Sequence, residues 1–161
     1  MKIMSKIASF FILSSAALTV QAATQSVTVQ YTLTIPTACT LSNQGTTLNV
    51  ALPHDATPVT QSLNVKCNVP YTIQASSTNA KGNNQSAVVN TSDATLQIPY
   101  DITMAGTTPV IVNGATSAQV LPTATTKTDV YTLTAKTPTA ITVEDFIAGS
   151  YADQVTVEIT Y

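Results

Sequence analysis

Charged residues are scarce in this chain of 161 residues. Only 9% of its residues are charged, and its six cationic residues are all lysines, with no arginine. Proteins that bind nucleic acids recognise phosphates through clustered Lys and Arg. The composition therefore predicts that the chain has no nucleic-acid partner.

Groups that carry catalysis or bind metals are also few. His54 is the single histidine, the chain has no Cys-x-x-Cys pair, and no glycine-rich loop is present that could hold a phosphate. A Ser/His/Asp arrangement would have to use His54, and a neighbouring His and Asp in a loop, such as His54 and Asp55, are common without catalysis. A pair of carboxylates for glycoside hydrolysis would have to come from acids in predicted turns and on outer strand faces, where acids are usually just solvated. We predict no catalytic residue, no metal site and no cofactor. The acids considered for such a pair are Glu144, Asp145, Asp153 and Glu158.

The only long apolar run lies at the beginning of the chain. Lys2 and Lys6 precede an apolar stretch over residues 7–20, which ends in Val20-Gln21-Ala22. This is the pattern of a signal peptide cleaved after Ala22, and the stretch is too short to span a bilayer as a helix. The alternative is a retained N-terminal anchor, but no stop-transfer pattern follows. We expect an exported protein of residues 23–161 that forms one domain and has no stable membrane span.

Cleavage at this site changes the charge balance and sets the redox compartment. Two of the six lysines leave with the signal, so four lysines face eight acidic residues, a net charge of −4.

Cys39 and Cys67 are the two cysteines, and a pair in an exported protein is most simply a disulfide. Such a bond would contribute about 3 kcal/mol by restricting the unfolded chain. The alternative, a reactive or metal-binding thiol, lacks suitable neighbours.

The rest of the chain is a succession of short apolar/polar alternations separated by polar turns. This pattern predicts an all-β sandwich. Pro99 lies inside one predicted strand and should mark a bulge or an edge, because proline cannot donate to a sheet ladder. Residues 145–150 are predicted to be a connection. The predicted strands are 48–52, 61–67, 71–75, 96–104, 109–112, 118–121, 130–135 and 140–143.

The most regular alternation covers residues 24–35. Every second side chain of a strand points to the same face, so five apolar residues of this segment share one face. One interpretation is the first strand of an ordinary sandwich. The other is a strand that binds another molecule. The five residues are Val27, Val29, Tyr31, Leu33 and Ile35.

A second regular strand pattern ends the sequence. Apolar residues alternate there with polar ones, among which we place Asp153, Thr156, Glu158 and Thr160 on the outward face. A strand that continues to the last residue is expected to lie inside or at the rim of a sheet. Its apolar members are Tyr151, Val155, Val157, Ile159 and Tyr161.

Several of these motifs together carry a resemblance to a known family. They are Thr-Ala-Cys-Thr-Leu at 37–41, Leu-Asn-Val-Lys-Cys at 63–67, Leu-Gln-Ile-Pro-Tyr-Asp-Ile at 96–102, and Gly-x-Tyr-x-Asp-x-Val-x-Val-x-Ile-x-Tyr at 149–161. The chain resembles the spore coat protein U family, whose best understood members are pilins of archaic, Csu-type chaperone–usher pili. The terminal pattern is the most specific of the four.

The resemblance implies an incomplete immunoglobulin-like β-sandwich that lacks its final strand and is completed by donor-strand complementation. Residues 23–35 would be the donor extension and 36–161 the pilin domain. The implied partners are identical or related pilin subunits, a periplasmic chaperone and an outer-membrane usher, and the implied location is a fibre on the cell surface that serves adhesion or biofilm formation. The implied donor side chains are Val27, Val29, Tyr31 and Leu33, and the strand that contacts chaperone and usher carries Tyr151, Val155, Val157, Ile159 and Tyr161.

Two alternatives belong to other functional classes. A single-domain fimbrial adhesin would recognise a surface, although related adhesins usually carry an additional receptor-binding domain. A secreted carbohydrate-binding sandwich would normally display exposed aromatics, whereas Phe146 is the single mature phenylalanine and most tyrosines have the position of core residues. The tyrosines predicted to be in the core are Tyr31, Tyr131, Tyr151 and Tyr161.

Overall fold

The computed structural model describes residues 24–122 and 128–161. The chain divides into two units, Met1–Thr34 and Ile35–Tyr161. The predicted signal peptide, residues 1–22, lies outside the described residues. In the first unit, residues 24–34 form no strand. The four apolar side chains of that segment are between 63% and 91% exposed.

The second unit consists almost entirely of strands. Its strands are short because each apolar alternation extends over only a few residues before a polar turn interrupts it. The helical element among the described residues of this unit is one 3-10 helix, Val143–Asp145. The strands are β1 (Cys39–Leu41), β2 (Val59–Cys67), β3 (Thr72–Ser77), β4 (Gln85–Asn90), β5 (Gln97–Ala105), β6 (Asp129–Lys136), β7 (Tyr151–Ala152) and β8 (Val155–Thr160).

The eight strands form two antiparallel sheets. The large sheet has six strands in the order β1-β2-β6-β5-β4-β7, and the small sheet pairs β3 with β8. In the small sheet Ile73 lies opposite Ile159 and Ala75 opposite Val157. Because paired residues of neighbouring strands point to the same face, this register places apolar side chains of both strands on one side.

One apolar core connects the two sheets. Its buried side chains come from both, with Val65 and Tyr131 from the large sheet and Ile73 from the small sheet, all fully buried. Val110, Val112 and Val120 join them from the connection between β5 and β6. The side chains that alternate with these point outward and are mostly polar, as expected for a sandwich.

The disulfide predicted from the two cysteines is confirmed. Cys39 and Cys67 are bonded, and they are directly opposite each other in the β1–β2 pair. The bond attaches a strand of three residues to its neighbour of nine. So short a strand makes few ladder bonds. The covalent link adds to them and to the hydrogen bonds that Asn68 exchanges with Ala38 at this end of the large sheet.

Pro99 lies in β5, between β4 and β6, instead of on an outer strand. The bonds Asn90 N–H to Leu96 O and Ile102 N–H to Asn84 O show that the even-numbered residues of β5 bond to β4. The nitrogen of Pro99 therefore faces the β6 side. The β5–β6 register ends at Asp101 opposite Lys136, so no ladder bond is required there. The predicted edge exists locally, on one side of the strand.

Four of the strands predicted from short apolar runs do not form. Residues 48–52 are irregular, 109–112 and 118–121 contain only isolated bridges, and 140–143 lead into the 3-10 helix. The bridges join Met104 to Val110 and Tyr71 to Val120. In 109–112 and 118–121 the valines pack on the core without a neighbouring strand in register, whereas Leu48, Val50 and Val143 are exposed. Among the described residues no helix is long and apolar enough to cross a membrane.

The tyrosines divide between core and surface. Tyr131 is fully buried, as predicted, and Tyr151 is half-buried. Tyr31 and Tyr161 are 91% and 62% exposed, so the prediction that both are core residues is wrong within this chain. The alternation of a strand predicts which residues share a face, but it does not predict whether another part of the protein covers that face.

Candidate functional site: the open edge of strand β8

Strand β8 has one paired edge and one open edge. It pairs with β3 over six residue pairs, from Thr72–Thr160 to Ser77–Val155. In the part of the chain that the structure describes, no strand pairs with its other edge. The opposite side of β3 is covered, because main-chain bonds join Ala75 O to Asn113 N–H and Ile73 O to Ser117 N–H. The unpaired edge of the small sheet, within the described residues, is therefore that of β8.

The register determines which main-chain groups face the open edge. Thr78 N–H donates to Gln154 O, which makes residue 154 a hydrogen-bonded partner of the β3 side. In an antiparallel pair such positions alternate. The even-numbered residues of β8 bond to β3, and the N–H and C=O groups of Val155, Val157 and Ile159 face outward along the open edge.

The same three residues form the apolar stripe of β8. Val155, Val157 and Ile159 are half-buried and pack against the core, whereas Thr156 and Glu158 between them are exposed. Unpaired edges of this kind are templates for another strand. An added strand would find hydrogen-bonding groups and uncovered apolar side chains at the same residues.

The other two residues of the predicted C-terminal stripe lie elsewhere. Tyr151 belongs to β7, opposite Asn90 of the large sheet, and its hydroxyl donates to Ile147 O at 2.8 Å. Tyr161 follows β8 and is mostly exposed. The pattern that reads as one strand is thus two strands in different sheets. Gly149, which precedes β7, lies so close to Asn90 that a Cβ would be 2.6 Å from its Nδ2 atom.

Asp153 is the residue at which the chain passes from the large sheet to the small one. Its Oδ2 atom accepts hydrogen bonds from Ser77 Oγ at 2.6 Å, Ser86 Oγ at 2.5 Å and Tyr100 OH at 2.7 Å. Its Oδ1 atom accepts from Asn79 N–H at 3.1 Å and from the Nδ2 of the same residue at 3.0 Å. These donors come from both sheets. We call this group the Asp153 cluster.

Hydrogen bonding sets the charge state of the Asp153 cluster. Partial burial alone raises the pKa of Asp153, but the hydrogen bonds from Ser77, Ser86 and Tyr100 outweigh it and keep that pKa below its ordinary value. Burial, together with the neighbouring Asp153 carboxylate, raises the pKa of Tyr100. The cluster is an ionised carboxylate that accepts bonds from neutral hydroxyls, which is the stronger kind of hydrogen bond.

A second carboxylate cluster lies at the other end of β3. Tyr71 OH donates to Asp129 Oδ2 at 2.9 Å and lies 3.1 Å from Tyr131 OH, while Thr107 Oγ1 donates to Asp129 Oδ1 at 2.9 Å. Burial, then hydrogen bonding with Tyr131 and Asp129, raises the pKa of Tyr71. We call these four residues the Asp129 cluster.

The prediction that Asp153 is a solvated, outward-facing acid is wrong, because its carboxylate is hydrogen-bonded within the Asp153 cluster. A signal was available: Asp153 shares the odd-numbered alternation of Tyr151, Val155 and Val157, and hence their inward face. Of the other residues considered for catalysis, His54 and Asp55 lie at the surface. His54 is exposed in a loop, and Asp55 Oδ1 accepts from Thr57 N–H at 3.0 Å.

The Spore Coat Protein U domain family matches residues 23–158 of the chain. The chain belongs to that family. No curated protein matches the chain in sequence. This spore coat protein U domain is similar in structure to a chain of the CsuC–CsuE chaperone–tip adhesion subunit pre-assembly complex from archaic chaperone–usher Csu pili of Acinetobacter baumannii, with a TM-score of 0.50 and 22% identity.

That alignment covers 80% of this chain and 40% of the other. The spore coat protein U domain therefore spans less than half the length of the chain it matches, and at this identity the likeness shows the fold. The prediction of an all-β, immunoglobulin-like architecture is confirmed.

Proposed function

We propose that this spore coat protein U domain is a structural subunit of a chaperone–usher pilus and that it polymerises by donor-strand exchange. The observation that carries the proposal is the open edge of β8, where the outward main-chain groups and the half-buried side chains of Val155, Val157 and Ile159 occur together. An incoming strand gains ladder bonds and apolar burial at the same positions. Family membership agrees with this assignment.

The proposed donor is the N-terminal segment of another subunit. Its apolar stripe, Val27, Val29, Tyr31 and Leu33, is exposed and repeats every second residue. The open edge of β8 presents its apolar residues with the same spacing. A shift of one residue would bury Thr28 and Thr32 in place of this stripe, so the register is strongly specified.

Assembly in this manner is head-to-tail. The donor and the acceptor edge are different surfaces, so each subunit accepts one strand and offers another, and the contact repeats without closing. The product is a fibre. We infer that the fibre lies on the cell surface after export through the periplasm, and that it serves adhesion or biofilm formation.

A periplasmic chaperone and an outer-membrane usher are the further proposed partners. The structural neighbour is part of a complex described as a chaperone with a tip adhesion subunit before assembly. A subunit whose β8 edge is uncovered needs a temporary strand until a sibling arrives, since exposed edges favour aggregation. We place the chaperone on the same edge of β8 and assign the subunit no enzymatic role.

Removal of residues 23–34 tests the proposed function. The shortened chain should keep its acceptor edge but lose its donor, so it should add to the end of wild-type polymers and form none alone. Electrophoresis of unheated samples and electron microscopy measure polymer length. The matched control replaces Thr28, Thr32 and Thr34 with serine, which leaves the apolar stripe intact and should leave polymer length unchanged. Fibres of normal length from the shortened chain would refute the proposal.

A further inference from the structure

Among the described residues, the small sheet consists of the two strands β3 and β8. A two-stranded sheet is marginally stable in water on its own. Core packing of Ile73 and Ala75 holds the middle of β3 against the large sheet. What fixes the ends of this sheet decides whether the open edge of β8 is ordered when the incoming strand arrives.

The Asp153 cluster fixes one end. Ser77 is the last residue of β3, whereas Ser86 and Tyr100 belong to β4 and β5 of the large sheet. All three donate to the same oxygen, Asp153 Oδ2. Asp153 also precedes Val155, the first apolar residue of the open edge, by two positions. One carboxylate thus joins the end of β3, the start of β8 and the large sheet.

The Asp129 cluster fixes the other end. Tyr71 immediately precedes β3, is 1% exposed, and donates to Asp129 at the start of β6. Tyr131, which touches the Tyr71 hydroxyl, is also in β6. Both ends of β3 are therefore hydrogen-bonded, through a carboxylate, to strands of the large sheet.

We propose that Asp153 is a positioning residue that holds the β8 edge in its binding conformation before a donor strand is present. This inference rests on the proposed function. The carboxylate accepts hydrogen bonds from residues of its own chain, so it acts through the position of β8. It lowers the cost of binding, because an edge that is ordered in advance loses less conformational freedom when the ladder forms.

The substitution Asp153→Asn removes the carboxylate that positions β8, with little change in the size of the side chain. An amide has one acceptor oxygen and one donor nitrogen. If its oxygen faces the three hydroxyls, its nitrogen opposes the N–H groups of Asn79 and Gln154. If it is reversed, its nitrogen faces the hydroxyls, and the acceptor that they share is lost. Either orientation loosens the junction between β7 and β8.

The test uses the full mature chain carrying Val29→Asp, which prevents it from acting as a donor. A fluorescent synthetic peptide of residues 24–35 is the probe, and its association is followed by anisotropy. With Asp153→Asn added, we expect the association rate to fall about tenfold, as loss of a charged hydrogen-bond acceptor implies. Hydrogen exchange of the amides at 155–160 should rise in the same variant. Asp145→Asn, at an exposed acid, is the control and should change neither quantity.

Two smaller substitutions keep the test decisive if Asp153→Asn fails to fold. Tyr100→Phe and Ser86→Ala each remove one donor to Asp153 and should slow peptide association about two- to fivefold, with increased exchange confined to β8. Wild-type association rates in all three variants would overturn the inference. Failure of the acceptor chain to bind the peptide at all, with Asp153 intact, would instead overturn the proposed function.

Discussion

A chain that carries its own donor strand offers the most direct measurement of how strongly a donor strand binds to the open edge of β8. In this variant residues 24–35 are joined after Tyr161 through a short flexible linker, and the original N-terminal copy is removed. We expect a soluble monomer, because the donor reaches the open edge of β8 within the same molecule. Substitutions in the joined segment then report on individual positions.

Leu33→Ala in the joined segment is the informative change. The Leu33 side chain is 88% exposed in the structure, so nearly all of its surface is available for burial in the groove. Replacing Leu with Ala removes the equivalent of three methylene groups, which corresponds to about 2 to 2.5 kcal/mol of unfolding free energy. For a chain of this size the melting temperature should fall by about 5 to 10 °C.

Thr32→Ala is the matched control, since its side chain would point away from the core. It should cost at most about 1 kcal/mol, through strand propensity alone. Urea and thermal unfolding, followed by circular dichroism, measure both variants. Equal losses for Leu33→Ala and Thr32→Ala would refute the assigned face of the donor, and no loss for either would refute the assigned segment.

Three further predictions concern the natural chain. Val29→Asp should stop polymerisation, because a carboxylate enters an apolar groove at a cost of several kcal/mol, whereas Thr28→Asp should still yield fibres by electron microscopy; long fibres from the first variant would contradict the donor face. Replacing Cys39 and Cys67 with serine should lower the unfolding free energy by about 3 kcal/mol in urea titrations, and unchanged stability would show that the bond restrains little. The lowered pKa of Asp153 contributes stability that is present above the pKa of the unfolded chain and is lost as pH falls through the lower folded value; Asp153→Asn should flatten acid unfolding curves in that range, and identical curves would contradict it.

The sequence predicted the strands whose alternation is long and uninterrupted. The predicted strands 61–67 and 130–135 lie within β2 and β6, and 96–104 lies within β5 except for its first residue. Their periodicity has a local cause, since every second side chain enters the core. The segments 48–52 and 140–143 have similar apolar content but no neighbouring strand, and pairing is a property of the whole fold.

The candidate site was predictable in part. The apolar stripe at Val155, Val157 and Ile159 follows from alternation, and the structure adds the fact that their edge is open. Alternation alone predicts that Asp153 faces inward, as Val155 does. The partners of its carboxylate could not be predicted, because Ser77, Ser86 and Tyr100 are distant in sequence and meet only in the fold.

Pro99 has a consequence for how the chain leaves the large sheet. At this point of β5 the ladder with β6 has ended, and the residues that follow β6, Thr137 to Thr139, line a pocket together with Ile98 and Pro99. Proline has no N–H group, so residue 99 has no main-chain donor on this side of β5. The segment after β6 can therefore turn away from the ladder without leaving a main-chain donor of residue 99 unpaired beneath it.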